Sequence, residues 1–133
     1  MPSTAPESPT AASTRCKIPN TFTTGGSRLV LTPGEGFLKL REYPARSLAF
    51  MDGLAEELDI WLYPNLRLHN GTDGLEPACA GYETAVLAGC TDPKQPANYH
   101  WGHDLAENVD FDTVADAVRL SEAAIRRLGE RWL

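Results

Sequence analysis

Apolar positions along this chain group into a few stretches whose spacing predicts the elements. Residues 28–32 (RLVLT) and 37–42 (FLKLRE) are short runs of partly alternating character on either side of Pro33, Gly34, Glu35 and Gly36. Proline presets φ for a turn and glycine supplies the positive φ that other residues resist, so this pattern predicts a β-hairpin. Between Pro44 and Pro64, Leu48, Met51, Leu54, Ala55, Leu58, Trp61 and Leu62 recur at helical spacing, with Asp52, Glu56 and Asp59 on another face. Pro44 suits the first helical turn, where a missing N–H costs nothing. A rival reading breaks the segment at Asp52-Gly53, a hairpin dipeptide, and makes strands of 47–51 and 58–62. Alternating Leu58, Ile60 and Leu62 support that version locally; length and acidic content favour the helix.

Residues 66–69 read as a short strand ending at Asn70-Gly71. Pro77 then opens an expected helix through Cys79, Tyr82, Ala85 and Val86, stopped near Gly89 by a C-terminal glycine. Residues 91–98, with two prolines, make a loop. The last element carries the clearest pattern. Asp110 or Asp112 can cap a helix, and Val114, Val118, Ser121, Ile125, Leu128 and Trp132 form one stripe, widened by Ala117 and Ala124. Asp110, Asp112 and Asp116 come early and Arg126, Arg127 and Arg131 late, as the helix dipole prefers. The fold class that follows is α+β: an N-terminal β-hairpin or small antiparallel sheet packed by about three helices, the C-terminal one longest.

Residues 1–24 depart from this patterning. They are rich in Ser, Thr, Pro and Ala, and only Ile18 and Phe22 could anchor them. Burial there cannot offset the ordering entropy, so a disordered tail is expected, with 25–133 as a single domain. That leaves enough chain for a core without disulfides or a structural metal.

Charge narrows the partners. A net charge of −6, from 18 acidic against 12 basic residues, repels phosphate backbones and anionic headgroups, so neither nucleic acid nor membrane is expected as a partner. No stretch has the length to span a bilayer, and the N-terminus has no apolar signal region. Cys16, Cys79 and Cys90 form no C-x-x-C pair and read as ordinary thiols in a reducing compartment. Asn70-Gly71-Thr72 matches a glycosylation sequon but reads more simply as a turn. Together these point to a cytoplasmic protein.

Candidate chemistry concentrates in His100-Trp101-Gly102-His103-Asp104-Leu105-Ala106-Glu107. On a helix, His100, His103, Asp104 and Glu107 would share a face. Two imidazoles and a carboxylate could ligate a metal, or Asp104 could orient a histidine acting as general base. Against this, Gly102 weakens a helix by about 1 kcal/mol relative to Ala, and the spacing matches no established metal motif and names no cofactor. Surface histidines in a polar loop are ordinary. His69 could complete a three-histidine site only if the fold brought it there. The run Glu56-Glu57-Leu58-Asp59 reads as a solvated face, because paired catalytic carboxylates need opposed positions around a substrate. Gly34-x-Gly36 matches no phosphate loop. Trp61 and Trp132 read as core, whereas Tyr99 and Trp101, in a polar Pro/Gly-rich region, are the better candidates for ligand binding.

Two functions of different kinds fit. The first is a small acidic binding or accessory protein acting through a protein partner or as a homo-oligomer. The second is a small enzyme on a small-molecule ligand, using His100, His103 and Asp104 beside Tyr99 and Trp101.

Overall fold

The computed structural model describes residues 27–91, 96 and 98–130; the N-terminal tail, Cys16, Arg131 and Trp132 lie outside them. The fold is α+β, with four short strands and three α-helices among the described residues, the C-terminal helix longest. Strand β1 (Arg28–Leu31) pairs antiparallel with β4 (Leu87–Cys90), with Leu29 opposite Gly89 and Leu31 opposite Leu87. Strand β2 (Gly34–Glu35) pairs antiparallel with β3 (Arg41–Glu42). Helices α1 (Ala45–Glu57), α2 (Leu75–Cys79) and α3 (Phe111–Gly129) complete the set.

Strand β1 organises the interior because both of its faces are covered. Leu29 and Leu31 pack with Met51, Leu54 and Ala55 of α1, with Ile60, and with Leu120 and Ala124 of α3. Val30, pointing the other way as strand geometry requires, packs with Leu66, Leu68 and Cys90. The segment from Tyr63 to Leu68 closes that second side. The Tyr63 amide donates to the Leu29 carbonyl at 2.8 Å, and the Leu68 amide donates to the Gly34 carbonyl at 3.1 Å. Only parts of it bridge to the strands, so the expected strand at 66–69 reduces to a bridge at Leu68.

The expected hairpin between 28–32 and 37–42 does not form. The chain runs on through Gly34 and Glu35 and reverses later, over residues 36–40. Gly36 takes φ +142°, and a side chain there would collide with the Lys39 carbonyl. The partner of β1 comes instead from residues 87–90, which were expected to end a helix. That helix stops at Cys79, and Gly81 follows at φ +87°. Beyond it the chain is extended, and the Thr32 amide donates to the Val86 carbonyl at 3.1 Å, prolonging the β1–β4 ladder. Pairing with an otherwise open strand outweighs a weak local helical preference.

Helix α1 settles the ambiguity over 44–64. Met51, Leu54 and Ala55 are buried together, and Gly53, the second half of the hairpin dipeptide, faces open space. The helix ends in a Schellman arrangement. Asp59 is left-handed at φ 54°, its amide donates to the Glu56 carbonyl at 3.2 Å, and the Ile60 amide donates to the Ala55 carbonyl at 2.9 Å. Ile60 then drops into the core beside Leu54 and Ala55. Trp61 is half-buried at the sheet margin rather than in the core, edge-on to Tyr63 with the Arg28 guanidinium over its ring.

Candidate functional site

The segment carrying the sequence candidates is a chain of turns. Asn98 and His100 are both left-handed, at φ 53° and 60°, the Trp101 amide donates to the Asn98 carbonyl, and the Asp104 amide donates to the Trp101 carbonyl. Helical geometry appears only as a short 3-10 turn, Ala106–Asn108. The common face that a helix would have given His100, His103, Asp104 and Glu107 is therefore not made. Both imidazoles belong to exposed residues. His103 holds the segment through its backbone carbonyl, which accepts from the Asn108 side-chain amide at 2.9 Å. Tyr99 lies against the His100 ring with centroids 3.9 Å apart, and Trp101 is 74% exposed. His69 is exposed on a separate bend. Among the described residues no three His, Cys, Asp or Glu side chains gather as a metal ion would need.

Asp104 has a different setting. With Asp110, Asn98 and Asn108 it lines a cleft of about 300 Å³ whose floor is apolar, formed by Leu29, Leu87 and Ala117 among others. Asp110 also anchors this end of the molecule. One of its carboxylate oxygens accepts from the Asp112 and Thr113 amides at 3.2 Å, capping α3, and the other accepts from the Ser27 amide at 3.0 Å. The Thr113 hydroxyl donates back to the Ser27 carbonyl at 2.9 Å. The start of the sheet and the start of α3 are thus pinned together.

A second group of polar residues, invisible as a cluster in the sequence, has Glu35 and Tyr43 buried and Thr72 half-buried. Glu35 is 0% exposed. Its carboxylate accepts from the Tyr43 hydroxyl, from the Thr72 amide at 2.8 Å and from the Thr72 hydroxyl at 2.9 Å. Burial, then the hydrogen bond to Glu35 and its charge, push the Tyr43 hydroxyl well above its ordinary pKa. Gly74 makes room for the group, since a side chain there would approach the Tyr43 oxygen to 2.9 Å and strike Val86. Among the described residues no buried side-chain nitrogen or oxygen of this set lacks a partner. It is a structural clamp that fixes the residue 72–74 turn and the β2–β3 hairpin to one another. The Thr72 of the sequon is thereby engaged on the inside. Cys90, whose thiol burial pushes up, packs with Val30 and Leu66, while Cys79 is exposed.

The most unusual surface is on α3. The face this helix turns to the core is centred beside the main stripe of the sequence pattern, on its alanine edge. Leu120, outside that stripe, is 0% exposed and with Ala124 packs on β1 and α1, supported by Ala117 and Ala123. Most of the stripe faces outward: Val118 is 59% exposed and Ile125 71%, Phe111 and Val114 are exposed, Ser121 is half-buried, and the exposed Leu128 also borders a cleft with Phe50 and Ala85. Val114, Val118, Ser121 and Ile125 line an open groove that Leu87 and Ala117 extend on one side and Glu122 and Arg126 border on the other. Two salient sequence signals pointed to it. The apolar residues of α3 cover more than one helical stripe, and Phe111, Val114, Val118, Ser121, Ile125 and Leu128 keep an alternating three- and four-residue spacing, the signature of a helix seam.

Among the described residues, no helix is long and apolar enough to cross a membrane. Comparisons with protein-family models, with curated proteins and with solved structures find no match to this chain.

Proposed function

We propose that this chain is a small acidic binding or accessory protein whose working surface is the outward seam of α3, docked against another polypeptide. The observation that carries this reading is the exposure of Val114, Val118 and Ile125 in one line on a helix that already has a separate buried face. Contiguous apolar surface of this kind marks interaction sites, whereas scattered exposed apolar residues do not. The 3-4 spacing gives the face the form that another helix packs against. The net charge of −6 argues against phosphate-rich partners, and a reducing cytoplasm suits the exposed thiol of Cys79.

A second reading, a small-molecule site, has in its favour that Asp104 and Asp110 both line the cleft at the start of α3. His100 and His103 are not among its lining residues, so this reading draws on fewer of the candidate groups than the sequence offered.

The test is made in extract of cells expressing the full chain at low level. Wild type is expected to migrate as a species larger than its own 14.5 kDa, and the Val118→Glu and Ile125→Glu variants to return to monomer mass. Wild type and variants migrating alike at monomer mass would remove the interaction reading.

A further inference from the structure

We infer that the polypeptide covering the α3 seam is a second copy of this chain, laid antiparallel. The inference rests on the interaction reading above and names its occupant. Seven successive positions of a heptad bring Phe111, Val118 and Ile125 to one kind of core position and Val114, Ser121 and Leu128 to the other. When such a helix meets its own reverse, the two kinds pair with one another. Phe111 then faces Leu128 of the second copy, Val114 faces Ile125, and Val118 faces Ser121. All six described seam positions are used, none is left opposite a charge, and the smallest residue falls in the two central layers, where the helices approach most closely.

Charge complementarity selects this arrangement. The first turns of α3 carry Asp110, Asp112 and Asp116, and its last turns carry Arg126 and Arg127. A parallel pair would set the two acidic ends together and the two basic ends together. An antiparallel pair places the exposed Arg126 of each copy beside Asp112 of the other, and the two helix dipoles oppose. The gradient along α3 is thus complementary to its own reversal. Glu122, hydrogen-bonded to Arg126 at 2.8 Å, comes opposite Ala115 of the second copy, so no carboxylate meets another across the seam.

The experiment uses the purified full chain. Light scattering after size exclusion is expected to give twice the 14.5 kDa chain mass, and Ile125→Glu to give monomer with an unchanged circular dichroism spectrum. Orientation is read by disulfides in a Cys16→Ser, Cys79→Ser background, with buried Cys90 retained. Val114→Cys and Ile125→Cys chains, mixed and oxidised, are expected to give the mixed 114–125 disulfide. In the antiparallel register two copies of residue 114 lie about 16 Å apart along the helix, at 1.5 Å per residue, beyond the roughly 7 Å a disulfide can span. Homodisulfides of Val114→Cys alone would show a parallel pair and overturn the arrangement. A purified monomer overturns the second copy as occupant. If that monomer still migrates in a larger species in extract, the interaction reading stands with a foreign partner; if not, both fall.

Discussion

Glu35 shows how one side chain can decide the course of a loop. In the sequence it sits inside a Pro-Gly-x-Gly run that reads as a solvent turn, yet it is the one carboxylate among the described residues that is completely enclosed. Three donors converge on it, and a buried acceptor of this kind is tolerated only because they do. Tyr43→Phe removes one donor and is expected to cost about 1.5–3 kcal/mol at pH 7, the range for a hydrogen bond to a charged group. The pH dependence has a definite sign. Because the folded pKa of Tyr43 lies above its unfolded value, its contribution is complete below about pH 10 and is lost as pH rises toward the folded pKa. Urea midpoints measured from pH 7 to pH 11 should therefore fall faster for wild type than for Tyr43→Phe, and the two curves should converge. Parallel curves would mean that the clamp contributes no such linkage.

At the scale of elements, the start of α3 depends on Asp110, which caps the helix and holds the Ser27 amide with its second oxygen. Asp110→Ala is expected to lower stability by about 1–2 kcal/mol in urea unfolding, and Asp110→Asn by less, because its one amide oxygen still caps α3 although its NH2 cannot accept from Ser27. An Asn variant as damaging as Ala would show that the cap oxygen alone contributes little to the stability of this end. This cap was legible in the sequence, as were α1 and α3, because each rests on local chemistry: an aspartate before a periodic run, and apolar residues recurring every three or four positions. What failed were the elements decided by distant pairing. Residues 87–90 carry no strand signal of their own beyond a glycine that reads as a helix stop, and the need of β1 for a partner makes them a strand. For 98–104 the sequence leaves helix and polar loop both open, and the left-handed Asn98 and His100 make it a run of turns, without the helical face on which His100, His103 and Asp104 would have met. On α3 the sequence pattern shows one apolar stripe without saying which face packs, and Leu120, outside that stripe, with the flanking Ala117 and Ala124 fills the space against β1 and α1.

For the whole molecule, the two faces of α3 separate folding from assembly, and thermodynamics can tell them apart. Leu120 is completely enclosed between the sheet and α1. Its truncation to Ala removes buried methyl groups and leaves a cavity, at a cost of about 2–5 kcal/mol whatever the protein concentration. Ile125 stands on the same helix but is exposed, away from that core. Substituting an exposed residue of this kind changes the stability of an isolated fold by about 0.5 kcal/mol or less. Its effect enters through association, since a partner that binds only the folded state stabilises it by mass action. The melting temperature of wild type is accordingly expected to rise with protein concentration. For Ile125→Glu it should stay constant, at the value wild type approaches on dilution. Leu120→Ala should melt lower throughout while keeping the concentration dependence. A wild-type melting temperature independent of concentration, with Ile125→Glu matching it everywhere, would leave the outer stripe as surface that no second copy covers.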